Sequence, residues 1–246
     1  MPKVHLAPLS SMAAGVLGLS AVALVSPLSA AGWTAGLLYL VASNALLARG
    51  LQTRGMSAFG WGNWATAGRS TLVALVTALV VTSFSSPISL LLLIVVAGVA
   101  LVLDAVDGWL ARRTHSETDL GARFDMEVDA FLLLVLSLYV SQLLGGWVIA
   151  IGLLRYAFVV AGLLLPWMRA TLPPRYWRKV VTAYAGVALT VAASDLLPSW
   201  AGAALVAVAL ALLLESFARD VLWLVARRRA VTPRAEAVHR RKGVDA

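Results

Sequence analysis

The sequence predicts an all-α fold, a polytopic bundle of membrane-spanning helices. Three observations predict it. The 246 residues are 61% hydrophobic and only 13% charged, more apolar length than a soluble core of this size requires. The apolar residues gather into runs of about 20, the length that crosses a bilayer. The basic residues gather in alternate loops, as expected of a chain that threads a membrane repeatedly.

Taken in order, a short polar start with Lys3 and His5 leads into a first apolar run over 9–26, ended by Pro27. Charge, apolar run and the small residues Ser29, Ala30 and Ala31 imitate a signal peptide, but the run is long for one. A second span covers 33–48 and stops at Arg49. Residues 49–62 form a linker with Gly, Arg and two nearby tryptophans, Trp61 and Trp64, suited to headgroup level. A third span runs to Thr82, and Ser83 to Pro87 make an uncharged turn. The fourth span is expected over 88–111 and the fifth over 122–143, with Gly145-Gly146 turning the chain. The sixth, seventh and eighth follow over 147–166, 177–194 and 199–214, the last continuing as a helix through Arg229. Glu215 and Arg219 stand there as an i, i+4 surface pair. Residues 230–246 read as a basic, unordered tail.

Charge tests this count. Arg49, Arg54, Arg69, Arg112, Arg113, Arg123, Arg169, Arg175, Arg178, Lys179 and Arg227 to Arg229 fall on one side, whereas the opposite turns carry only Asp195. Eight spans with both termini cytoplasmic satisfy the bias. The net charge of +8 then reflects topology and anionic headgroups, and nucleic acid is not expected as a partner. The chain has no cysteine, which excludes disulfides, zinc–thiolate sites and a cysteine nucleophile.

One polar stretch, Leu103 to Ala130, stands between two apolar runs and holds more than half of the twelve acidic residues. Asp104 and Asp107 are three residues apart and Asp125 and Asp129 four, so each pair shares a helix face. Two adjacent helices would converge four carboxylates, which repel unless a cation joins them. All-oxygen donors suit Mg²⁺ or Mn²⁺. Gly108 and Gly121 leave room for a substrate against the backbone, and Arg112 offers a fork that matches phosphate. Together these point to chemistry on a diphosphate.

The pattern D-x-x-D-G-x-x-A-R, eight residues, G-x-x-x-D-x-x-x-D resembles the signature of the CDP-alcohol phosphotransferases, with every specified position filled. Upstream, Asn63, Thr66 and Arg69 form an N-x-x-T-x-x-R that looks like the start of that family's first core helix; on their own they equally read as a cap followed by a snorkelling arginine. The resemblance covers about residues 60–227 and divides the chain: two extra N-terminal helices and a linker over 1–59, a six-helix catalytic core over 60–229, and the tail over 230–246. It implies phosphatidyl transfer from CDP-diacylglycerol to a small alcohol with release of CMP. It also implies a pair of Mg²⁺ or Mn²⁺ ions held by Asp104, Asp107, Asp125 and Asp129, with Asp129 also the base. Gly108, Ala111, Arg112, Gly121 and, from the upstream helix, Thr66 would lie along the CDP moiety. The resemblance also implies a homodimer, and the charge bias puts the site on the cytoplasmic side of what is expected to be a bacterial inner membrane.

The acceptor side rests on basic residues. Arg169, Arg175, Arg178 and Lys179 cluster after the sixth span, where they serve a phosphorylated acceptor such as glycerol phosphate or inositol phosphate, or equally the membrane surface. Lys179 to Thr182 resembles the family's K-x-x-T, but Arg178 stands where a glycine commonly precedes that lysine. Arg155 lies deep inside the sixth apolar run, where a charge is costly without a partner, and Glu127 is a candidate partner. Two other readings compete. A membrane prenyltransferase also binds diphosphate through aspartates and Mg²⁺, but its two motifs normally lie far apart. A divalent-cation transporter lined by the aspartates would conduct ions without lipid turnover.

Overall fold

The computed structural model describes residues 6–53, 61–114, 119–170, 172, 173 and 175–242, with side chains described over 10–49, 68–106, 124–170, 172, 173 and 175–228. Among them are eight α-helices: α1 (Leu6–Val25), α2 (Ala30–Thr53), α3 (Trp61–Ser83), α4 (Leu90–Thr114), α5 (Asp119–Leu144), α6 (Ile149–Leu164), α7 (Tyr176–Ala193) and α8 (Ser199–Lys242). Single 3-10 turns, Gly146–Val148 and Pro166–Arg169, lead into α6 and out of it. The described residues include no strand.

The eight helices overlie the eight expected apolar runs. Four are long and apolar enough to cross a membrane: Ala30–Arg49, Phe124–Leu144, Gly146–Leu164 and Ser199–Arg228. Ser10–Val25, Gly68–Ser83 and Leu90–Val106 are shorter apolar helices. α8 continues beyond Arg229 to Lys242, through a stretch rich in the helix formers Ala and Arg.

Local chemistry fixes the helix ends. The Ser29 hydroxyl caps α2 by accepting from Gly32 N at 3.0 Å, and that of Ser89 caps α4 by accepting from Leu92 N at 3.4 Å. Both serines also join elements. Ser29 N donates to Thr82 Oγ1 near the end of α3 at 3.2 Å, and Ser89 N donates to Ser26 Oγ after α1 at 3.1 Å. After α5 the chain reverses at Gly145, whose φ of 101° only glycine adopts without strain.

α3 is the central post. Residues 73–80 are buried without a break, as in a helix apolar all round and surrounded by others. It packs against α1, α2, α4 and α5, and α5 packs in turn against α6, α7 and α8. Small residues let backbones approach, as between membrane helices. A Cβ on Gly152 of α6 would lie 2.4 Å from Leu134 Cα of α5, and one on Gly32 would lie 2.6 Å from Ala78 O of α3. The outer surface carries exposed Leu17, Leu24, Leu91, Leu164 and Leu222, an apolar exterior of the kind lipid covers.

Candidate active site

Three helices meet at one polar cluster. Asp104 lies late in α4, Asp125 two turns into α5, and Asp129 one turn further on. Each offers an oxygen within 4.8 Å of the other two. Successive helices run antiparallel, so the end of α4 and the start of α5 share one end of the bundle with the start of α3. The expected convergence of acid groups from α4 and α5 is therefore present for these three residues.

The group between them is Arg69 of α3. Its Nη1 lies 2.8 Å from Asp104 Oδ1 and is also paired with Asp125, while Nη2 is paired with Asp129. Arg69 is 1% exposed, whereas the carboxylate side chains of Asp104, Asp125 and Asp129 are 34%, 37% and 25% exposed. The guanidinium thus forms the floor of the cluster and the carboxylates its open rim. A buried arginine needs such partners, and the planar fork lets one side chain hold three.

Charge decides what the rim accepts. Three carboxylates against one guanidinium leave two negative charges within a few ångströms. The donors are all hard oxygens, part-exposed and already converged. That set fits a divalent cation of the Mg²⁺ or Mn²⁺ class.

The helical backbone carries Thr66 on α3, Asp107, Gly108, Ala111 and Arg112 on α4, and Gly121 on α5. The side chains of these positions lie outside the described residues. Asp107 follows Asp104 by about one helical turn of α4.

The arginines of the expected acceptor side have partners within the protein. Arg155 Nη2 donates to Glu127 Oε1 at 2.5 Å, so the deep arginine of α6 is paired with the acid of α5. Arg169 donates from Nε to Gly162 O at 2.8 Å and from Nη2 to Leu163 O at 3.0 Å, closing the last turn of α6 as cationic side chains commonly do. Arg178 Nε lies 3.2 Å from Asp220 Oδ2 of α8, and its Nη2 donates to Pro173 O at 2.5 Å. Arg175 Nη1 stands 3.6 Å from the other Asp220 oxygen. Lys179 is exposed on the first turn of α7. Arg169 and Arg178 therefore tie the α6–α7 connection to its neighbours. The Glu215–Arg219 pair is present, and Glu215 also accepts from Trp177 Nε1 at 3.0 Å.

Two residues matter here that sequence reasoning did not place. Arg69 was visible only as part of N-x-x-T-x-x-R, although a charge followed by an uninterrupted apolar run signals a buried partner. Asp220 is 3% exposed and gives a similar signal, an acid within the apolar stretch of α8 with no basic neighbour one turn before it.

A profile of the CDP-alcohol phosphatidyltransferase family matches residues 59–217, a segment that contains Arg69 and all four aspartates of the motif. No curated protein and no solved structure matches the chain.

Proposed function

Since the chain belongs to the CDP-alcohol phosphatidyltransferase family, we propose that it transfers a phosphatidyl group from CDP-diacylglycerol to the hydroxyl of a small alcohol and releases CMP. The observation that carries this reading is the convergence of Asp104, Asp125 and Asp129 around the buried Arg69.

In this reading Asp104, Asp107, Asp125 and Asp129 hold a pair of Mg²⁺ or Mn²⁺ ions. When bound, they offset the charge of the diphosphate and ease the departure of CMP. The chain's own residues do the rest. Asp129 accepts the proton of the acceptor hydroxyl. The acceptor oxygen then bonds to the phosphorus that carries diacylglycerol, and the bond from that phosphorus to the bridging oxygen breaks. CMP leaves with the electron pair. Positioning and electrostatics carry phosphoryl transfer, so no covalent nucleophile is required. Thr66, Gly108, Ala111, Arg112 and Gly121 line the CDP moiety. Arg69 holds three carboxylates in register and takes no part in proton transfer.

The acceptor belongs to the class of small, phosphorylated polyols. Support comes from Arg169, Arg178 and Lys179 lying about the α6–α7 connection, and from Arg155 reaching Glu127, which stands between Asp125 and Asp129 in the sequence. Arg155 and Lys179 are the pair we assign to the acceptor phosphate, with Arg169 and Arg178 shaping the connection that presents Lys179. The chain is read as eight spans with both termini and the site on the cytoplasmic side of a bacterial inner membrane, working as a homodimer. Residues 60–229 form its catalytic core, with two helices before it and a basic tail over 230–246.

The test is purified protein with Mn²⁺, CDP-diacylglycerol and a panel of phosphorylated and neutral polyols, scored by mass spectrometry of the lipid. A single phosphatidyl-polyol product and stoichiometric CMP are expected. Turnover of a prenyl diphosphate instead, or cation flux into liposomes without CMP release, would replace this reading.

A further inference from the structure

The last helix is longer than a membrane crossing requires. α8 runs over Ser199–Lys242, and its apolar part is Ser199–Arg228, 30 residues. At about 1.5 Å per residue that part measures about 45 Å, the thickness of a bilayer together with its headgroup layers. Tryptophans mark both levels. Trp200 stands exposed at the start of the helix. Trp223 lies about 35 Å further along it, slightly more than the thickness of the hydrocarbon. Trp167, in the turn after α6, comes to the same level, because Arg228 of α8 lies over its ring at 5.6 Å. Arg227 lies over Trp223 at 5.3 Å. Both arginines are exposed. Two indoles and two guanidiniums, from two separate elements, form one collar where α8 reaches the headgroups, the level at which such side chains anchor membrane helices.

Beyond the collar the helical backbone continues over 229–242, and its charge is one-sided. Residues 227–242 hold seven of the chain's 20 lysines and arginines, and a single acid, Glu236. Orienting a membrane chain takes only the cations in the short loops beside its spans. This run extends well past the last span. Like charges along one helix repel and oppose it, so the extension is favoured where an anionic surface neutralises them. The anionic surface at this height is the face of the bilayer, which attracts basic segments next to a span.

We propose that the end of α8, from Arg227 to Lys242, is a docking surface for anionic phospholipid headgroups, seated by the Arg228–Trp167 and Arg227–Trp223 contacts. Pro233 lacks a backbone donor and interrupts the hydrogen-bond ladder about one turn beyond the collar, which lets the segment after it lean onto the bilayer. The proposal is independent of the reaction assigned above, since it concerns the lipid around the protein and not a substrate.

The experiment uses the full-length chain in nanodiscs of phosphatidylcholine alone or with about 30% phosphatidylglycerol, which makes the surface negative. The chain has no cysteine, so Val238→Cys provides a single point for a donor dye, with the acceptor dye on lipid headgroups. Energy transfer is expected to be about twofold higher in the anionic discs. It should fall to the neutral-disc level in about 1 M salt, where charges are screened beyond about 3 Å. The combined variant Arg234→Gln, Arg240→Gln, Arg241→Gln, Lys242→Gln should lose the difference between the discs while the bundle unfolds at the unchanged temperature. Equal transfer in neutral and anionic discs, or an anionic response that survives those four substitutions undiminished, overturns the proposal and leaves the basic end of α8 in solvent.

Discussion

Replacing Arg69 by methionine keeps a long, slender side chain in the floor of the site and removes its charge. In the wild type one buried guanidinium faces Asp104, Asp125 and Asp129. Without it, three carboxylates with oxygens inside 4.8 Å repel one another with nothing to offset them. Removing one partner of a buried ion pair costs about 3–5 kcal/mol. The carboxylates here are a quarter to a third exposed, so water recovers part of that and the lower end of the range applies. For a chain of this size about 1 kcal/mol moves the unfolding temperature by roughly 2–4 °C. Arg69→Met in excess chelator should therefore melt about 6–12 °C below wild type, followed by tryptophan fluorescence. A divalent cation then acts in the opposite direction. The variant's site carries three negative charges where the wild type carries two, so it binds Mn²⁺ more strongly. A ligand at 100 times its Kd contributes about 2.7 kcal/mol, so the gap narrows by as much as the variant's gain exceeds the wild type's. Activity is not restored, because the orientation of the carboxylates is lost with the fork. A chelated variant that melts within 2 °C of wild type, or a gap that Mn²⁺ leaves unchanged, would refute the assignment of Arg69 as the cluster's countercharge.

Other substitutions address separate parts of the structure. Asp129→Asn should lower CMP release by about 10²-fold or more, the usual worth of a general base, while labelled CDP-diacylglycerol still binds; retained turnover would move the base elsewhere. Arg155→Ala should raise KM for a phosphorylated acceptor without altering donor binding, and an equal rise in both constants would assign Arg155 to general packing against Glu127. Gly152→Ala inserts a methyl group at 2.4 Å from the Leu134 backbone and should lower stability by about 1–3 kcal/mol; unchanged unfolding would mean that α5 and α6 are not in close contact. Arg178→Ala strips a close partner from the buried Asp220, so the double variant Arg178→Ala, Asp220→Ala should melt higher than Arg178→Ala alone. Additive losses in that cycle would rule out a direct pair.

The sequence conveyed the site's acid side and hid its basic side, for physical reasons. Helical spacing relates residues three and four apart, so the shared face of Asp125 and Asp129 was legible directly, and the order of the spans put Asp104 at the same end of the bundle. Arg69 is 35 residues before the nearest of its aspartates (Asp104 minus Arg69), and local periodicity carries no information across that distance. The same holds for Asp220 with Arg175 and Arg178. Arg155 and Glu127 were the exception, because a charge deep in an apolar run demands a partner and few acids were available. The helix count was legible from apolar runs. The enclosure of α3 was not, since a uniformly apolar helix does not reveal whether lipid or protein surrounds it. The extent of α8 beyond Arg229 was missed because polar composition was weighted above the helix propensity of Ala and Arg.

The full burial of Arg69 also bears on biosynthesis. Every acid that neutralises it lies on α4 or α5, which leave the ribosome after α3. At the moment α3 is complete, its cation has no countercharge, and partition of that segment into lipid is opposed by the cost of a lone guanidinium in hydrocarbon. The α1–α2 hairpin is already made and is tied to the far end of α3 through Ser29 and Thr82. It gives the nascent segment a protein surface to rest on until the acids arrive.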